Sequence, residues 1–185
     1  MHTTEYFEQI LEELSRAVPF ILHEEAERMV NGILEAKKVF VAGAGRSGLM
    51  AKSFAMRMMH MGIDSYVIGE TVTPNLESGD MLIIASGSGE TKSLTPMVAK
   101  AKELGGLVSL VTINPESSIG KMADFSVKLP GSPKDQSEGN YHTIQPMASL
   151  FEQTLLLFFD SVILRFMEKK GMDNNTMFGR HANLE

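Results

Sequence analysis

The chain has 185 residues, 43% of them hydrophobic and 22% charged, with a formal net charge of −6. That is enough for one domain with a sizeable core, and the balance is that of a globular chain rather than a disordered one. The acidic charge excludes a globally basic, nucleic-acid-binding surface, and the absence of cysteine excludes disulfides, thiolate catalysis and Cys-based zinc sites while fitting a cytoplasmic location.

The opening stretch MHTTEYFEQILEELSRAV carries acids throughout its apolar pattern, so it does not read as a signal peptide. Tyr6, Phe7, Ile10, Leu11, Leu14 and Val18 recur at helical spacing and predict an amphipathic helix, which Pro19 interrupts. A second helix is expected over HEEAERMVNGILEA, giving a helical N-terminal region over 3–35. KKVFVAG reads as a buried strand and SGLMAKSFAMRMMHMG as a helix ending at Gly62. DSYVIG and DMLIIAS (80–86) are the second and third strands. TKSLTPMVAKAKELGG predicts a helix stopped by glycines, with Pro96 early enough to be tolerated. LVSLVTI is a fourth strand, FSVKLPG a shorter fifth, and 147–170 the last long helix. Glu152, Asp160 and Arg165 break that helix's apolar run short of the ~18 residues of a membrane span.

Strands alternating with helices predict an α/β fold, a doubly wound three-layer sandwich around a five-stranded parallel sheet, with 1–185 as one domain. Ligands of such sheets bind beyond the carboxyl ends of the strands. Two Gly- and Ser-rich loops fall at that edge, GAGRSG after the first strand and SGSGETKS after the third. A phosphate is held by backbone N–H groups, hydroxyls and helix N-termini. The candidate phosphate-binding residues are Gly45, Arg46, Ser47, Ser86, Gly87, Ser88, Gly89 and Thr91. Either loop alone also fits a tight strand–helix turn with a capping hydroxyl.

Gly43, Gly45 and Gly48 spell G-x-G-x-x-G, and Glu70 stands near the place of a ribose-binding acid. Against a dinucleotide stand the short chain, with no room for a separate substrate domain, and the second hydroxyl-rich loop, which suits a phosphomonoester. A phosphomonoester is therefore preferred to a dinucleotide. Met56, Met58, Met59 and Met61 are read as core packing.

GAGRSG followed by SGSGETKS resembles the sugar isomerase (SIS) domain, a flavodoxin-like fold that binds phosphosugars. GAGRSGLMAKSFAMRMMHMG, SGSGETKS, NPESSIGKMADFSVKLPGSPKDQS, QPMASLFEQTLLLFFD and the terminal HANLE are together similar to the 6-phospho-3-hexuloisomerase family within it, over nearly the whole chain. The resemblance implies an enzyme interconverting D-arabino-hex-3-ulose 6-phosphate and fructose 6-phosphate in the ribulose monophosphate route of formaldehyde fixation or detoxification. It implies a functional link to 3-hexulose-6-phosphate synthase. It also implies a homo-oligomer, a tetramer, with the N-terminal helices and the tail 171–185 in subunit contacts. Another sugar-phosphate isomerase and a non-catalytic phosphosugar sensor remain as alternatives, although no DNA-binding helix pair is visible.

Moving a carbonyl from carbon 3 to carbon 2 is redox-neutral, so no cofactor and no metal are expected. A base takes the proton from carbon 2, a 2,3-enediol forms, and the proton returns at carbon 3. Glu152, early in the last helix beside Phe151, is the candidate base, as the resemblance also implies. An apolar setting strengthens a carboxylate as a base, whereas early helix turns favour its ionised form. The same position suits a carboxylate that only complements the helix dipole. His60 and His181 are candidates for moving the oxygen-bound protons; so polar a tail would usually fray, but the resemblance implies that it carries His181 over a neighbour's site. His60 also fits a simple role at a helix C-terminus. The 3-ketose cannot close a five-membered ring through its phosphorylated carbon-6 oxygen, so it needs no ring-opening residue. Lys134, in PGSPKDQS, could cover the phosphate or lie in solvent. Asn114, Ser117 and Ser118 read as caps of a turn and short helix.

Overall fold

A computed structural model describes residues 2–132 and 143–184. Lys134 lies outside the described residues. Five parallel strands form one sheet in the order β2-β1-β3-β4-β5. They are β1 (Val39–Gly43), β2 (Ser65–Val67), β3 (Met81–Ala85), β4 (Leu107–Thr112) and β5 (Phe125–Lys128). The helices are α1 (Thr3–Ala17), α2 (His23–Glu35), α3 (Gly45–His60), α4 (Thr95–Glu103), α5 (Ser118–Met122), α6 (Ser149–Lys170) and α7 (Asn174–Phe178). This is the doubly wound α/β architecture expected from the alternation of elements.

Strand period 2 divides the core in two. Val39, Val41, Ile83, Ala85 and Val111 face a layer built from α2, α3 and α6, with Met29, Phe54, Phe151 and Phe159 among its fully buried side chains. Phe54 and Phe159 stack at 4.2 Å and join α3 to α6. Phe40, Ala42, Leu82, Ile84 and Leu110 face the other layer, which holds Leu94, Val98 and Ala101 of α4 and Ile119 of α5. Each such fully buried side chain contributes roughly 1.5–3 kcal/mol over exposure. Burial on both faces is why β3 reads as an unbroken apolar run.

Several boundaries differ from the sequence expectation for local reasons. β2 ends at Val67 because Gly69, at φ +99°, turns the chain away just beyond it. α4 begins at Thr95 rather than Thr91, because residues 91–94 form a turn closed by Leu94 N–H to the Thr91 carbonyl. Pro96 then sits in the first helical turn. α6 begins at Ser149, since Met147 is held at φ +58°. That is a left-handed conformation costing roughly 1–3 kcal/mol for a residue with a side chain. Of the methionines read as core, Met58 and Met61 are buried, but Met56 and Met59 are exposed on the outer side of α3. The tail is folded: α7 is capped by Asp173, whose carboxylate accepts from Thr176 N–H. Ser117 caps α5 in the same way, accepting from Gly120 N–H, and Asn114 accepts from Glu116 N–H in the turn before it.

Candidate active site

Gly43 of β1 pairs in register with Ala85 of β3, so the loops that follow them leave the sheet side by side. From β1 the chain crosses to β2 on one flank, and from β3 to β4 on the other. This reversal opens a crevice at the carboxyl edge, where α/β sheets bind ligands. A cavity of about 400 Å³ lies there. It is lined by Gly45, Arg46 and Ser47, by Ser86, Gly87, Ser88 and Thr91, and by Glu152 at the start of α6. Gly89, the remaining phosphate candidate, stands behind the wall and donates its N–H to Ser86 Oγ at 3.2 Å. A larger cleft of about 650 Å³ lies elsewhere, among apolar side chains of α1, α2 and α6 such as Leu14, Val30 and Phe158. It lacks both glycine-rich loops.

The two loops need their glycines for different reasons. A Cβ at Gly48 would stand 2.6 Å from the Gly43 carbonyl oxygen, so this glycine permits close packing of α3 on β1. Gly89 adopts φ +65°, and a Cβ there would meet Ser117 Oγ at 1.9 Å. The cup is shaped by Ser86 Oγ, which lies 2.9 Å from Thr91 Oγ1, and by Ser88 Oγ, which accepts from Glu90 N–H at 3.2 Å. Glu90 in turn receives Ser118 N–H at 2.7 Å, tying the cup to α5, and hydrogen bonding by Ser118 holds its carboxyl below the usual range. The first N–H groups of α3 are free of helical partners at its N-terminus and open on the same cavity.

Glu152 is 8% exposed. Its Oε2 lies 2.9 Å from an Arg46 guanidinium nitrogen. That nitrogen donates to Ser149 Oγ, also at 2.9 Å. The Arg46–Glu152 contact is an ion pair without hydrogen-bond direction, which leaves Glu152 Oε2 buried and, among the described residues, with no hydrogen-bond donor. Ser149 was missed by sequence reasoning. The signal available was its spacing, three residues before Glu152 and so on the same helix face.

His60 and His181 are brought together, but not with Glu152. Their rings stack at 5.3 Å, and Arg57 donates to His60 Nδ1 at 3.3 Å. Burial pushes the His60 imidazole below its ordinary range, and the charges of Arg57 and His181 push the same way. The pair stands at the far end of α3, about 22 Å from Gly45 at 1.5 Å per residue. Neither histidine lines the cavity of its own chain. Glu70 is bonded to Lys52 at 2.6 Å and also lies outside it.

A doubly wound sheet with a hydroxyl-and-glycine cup at its switch point and a buried carboxylate opposite is the arrangement of a phosphosugar-binding domain. Residues 32–157 match the family model described as the SIS domain, and the chain belongs to the SIS family. It is 63% identical, over the full length of both chains, to a Bacillus subtilis protein named 3-hexulose-6-phosphate isomerase. A Mycobacterium gastri protein of the same name is 37% identical over 88% of this chain and 81% of its own. Among solved structures, a Methanococcus jannaschii protein whose structure was taken to infer the molecular function of 3-hexulose-6-phosphate isomerase superposes with a TM-score of 0.85. It is 32% identical, with 98% of this chain and 99% of that one covered.

Proposed function

We propose that this chain is an isomerase that interconverts D-arabino-hex-3-ulose 6-phosphate and fructose 6-phosphate through a 2,3-enediol. The observation that carries the reading is Glu152 Oε2, a buried carboxylate oxygen paired with Arg46 but without a hydrogen-bond donor among the described residues, in the same cavity as the Ser86–Thr91 cup. The name of the full-length Bacillus subtilis relative supports the choice of substrate.

The phosphate takes the cup of Ser86, Gly87, Ser88 and Thr91, with Gly89 holding Ser86 and the start of α3 adding backbone donors. Glu152 removes the proton on carbon 2 and returns it to carbon 3. Arg46, held by Ser149, stands where negative charge grows on the substrate oxygens, and a fixed cation at that place lowers the barrier. The proton exchange between the two oxygens falls to His60 and His181 of a neighbouring subunit, because the pair lies at the wrong end of α3 to serve its own chain. Tyr6, Phe7 and Leu11 of α1 and Leu157 and Leu164 of α6 are exposed apolar residues that a homo-oligomer, a tetramer, would cover. Among the described residues no helix is long and apolar enough to cross a membrane. The enzyme works in the cytoplasm, fed by a 3-hexulose-6-phosphate synthase in formaldehyde fixation or detoxification, and requires no metal or nicotinamide.

The test is an NMR assay of purified protein with fructose 6-phosphate, with and without chelator. Signals of the acyclic 3-ketose should grow to a fixed equilibrium ratio. Their absence, with catalysis of a different sugar phosphate instead, would overturn the substrate assignment.

A further inference from the structure

We propose that Glu13, on α1 and outside the cavity, is a positioning residue for the base: its carboxylate pins residues 143–145, the segment that leads into the N-terminus of α6, and thereby sets where Glu152 is held. The proposal rests on the reading of Glu152 as the base.

Glu13 is 3% exposed on the inward side of α1, beside the partly buried Ile10 and Leu14 and the buried Ala17. A buried carboxylate is costly unless its oxygens are satisfied. Among the described residues the donors come from one short stretch. Thr143 Oγ1 donates to Glu13 Oε2 at 2.5 Å, Gln145 Nε2 to the same oxygen at 2.9 Å, and Ile144 N–H to Oε1 at 2.8 Å. Gln145 N–H also donates to Thr143 Oγ1 at 3.0 Å, which closes the cluster. Burial pushes the Glu13 carboxyl up, but the hydrogen bonds from Thr143, Gln145 and Ile144, with the charge of Arg16, outweigh it and leave the group ionised below its usual range.

There is little slack between this cluster and the base. Pro146, with its φ restricted by the ring, and Met147, at φ +58°, are followed by Ala148 and the first turn of α6. Ser149 N–H returns to the Pro146 carbonyl, and Glu152 N–H to that of Ala148. A shift of Gln145 is therefore passed to Ser149, which holds Arg46, and to Glu152. A displacement of about 1 Å at a reacting group can cost about a hundredfold in rate.

The experiment compares Glu13→Ala with Glu13→Gln. The alanine removes the anchor. The glutamine can keep it, because its carbonyl can accept from Ile144 N–H while the Thr143 hydroxyl turns and the Gln145 amide flips. In Glu13→Ala, kcat per folded site should fall about tenfold with KM within about twofold, and Glu13→Gln should recover most of the loss. Amide hydrogen exchange, which needs no substrate, should rise at 143–152 in Glu13→Ala while that of the strands is unchanged. Thr143→Val weakens the same anchor without touching α1 and should lower kcat about threefold, so a poorly folding alanine variant leaves the proposal exposed to refutation. Full kcat in Thr143→Val or in folded Glu13→Ala, or unchanged exchange at 149–152 in either, would overturn it. A wild-type enzyme inactive on the hexulose phosphate would defeat only the substrate reading, and the exchange result would still decide the role of Glu13.

Discussion

Replacing Glu152 with glutamine separates chemistry from binding and folding. The side chain keeps its shape but can no longer accept the carbon-bound proton. The structure bounds the indirect effects. At 2.9 Å the ion pair with Arg46 has an unscreened Coulomb energy of about 6 kcal/mol at an effective dielectric of about 20. The Arg46 side chain, however, is 54% exposed, and pairs open to water are worth about 1 kcal/mol or less. Arg46 also keeps its bond to Ser149. Stability should therefore change by no more than about 1 kcal/mol. The hydrogen bonds that shape the Ser86–Thr91 cup do not involve the Glu152 side chain, so KM should stay within about threefold. The lost base should lower kcat by about 100- to 10,000-fold, or about 3–5 kcal/mol of barrier. The assay is NMR in deuterium oxide starting from the 3-ketose. The wild type should place solvent deuterium on carbon 3 of fructose 6-phosphate, to an extent set by how well the site excludes water. The variant should lose turnover and exchange together. Turnover lost with exchange retained would show that another group removes the proton. Retention of both would leave Glu152 as a structural partner of Arg46.

Three further outcomes follow from the geometry. Ser86→Ala removes a hydroxyl that faces the cavity and spaces Thr91. Loss of one bond to a charged phosphate, about 1.5–3 kcal/mol, should raise KM about tenfold to a hundredfold with kcat largely kept, and an unchanged KM would move the phosphate elsewhere. Gly48→Ala forces a Cβ to within 2.6 Å of the Gly43 carbonyl oxygen. Strain of about 1–3 kcal/mol should lower Tm by about 2–12 °C, as calorimetry would read it. Finally, hydrogen bonds from Arg165 and Lys169 hold Glu27 at about 2 against an ordinary 4.5. A carboxyl lowered by folding stabilises the fold fully above its unfolded value, and the contribution is lost as pH falls toward the folded one. His60, lowered from 6.5, works in the same direction at higher pH. Thermal melts should therefore decline below pH 6.5 and more steeply below 4.5, and Glu27→Gln should flatten the acidic limb. A Tm that rises on acidification would contradict this.

Much of this protein is written locally. Alternating apolar runs and helical stripes depend on residues within a few positions of one another, so the strands, most of the helices and the parallel sheet were legible without coordinates. The two loops were legible for the same reason, since GAGRSG and SGSGET are contiguous, and so was the place of Glu152 at the head of a helix. Tertiary packing decided what long-range contact requires. Arg46 meets Ser149 across 103 positions and Glu13 meets Thr143 across 130. No periodicity encodes such pairs, because they depend on how α1 and α3 lie against α6. The histidines teach the same lesson. Each stood in a reasonable place for a proton carrier, yet the length of α3 sets both at the opposite end of the helix from the base. Met147 is the clearest case. Nothing in its side chain favours φ +58°; it stands between Gln145, bonded to Glu13, and the start of α6, so its conformation belongs to the tertiary setting.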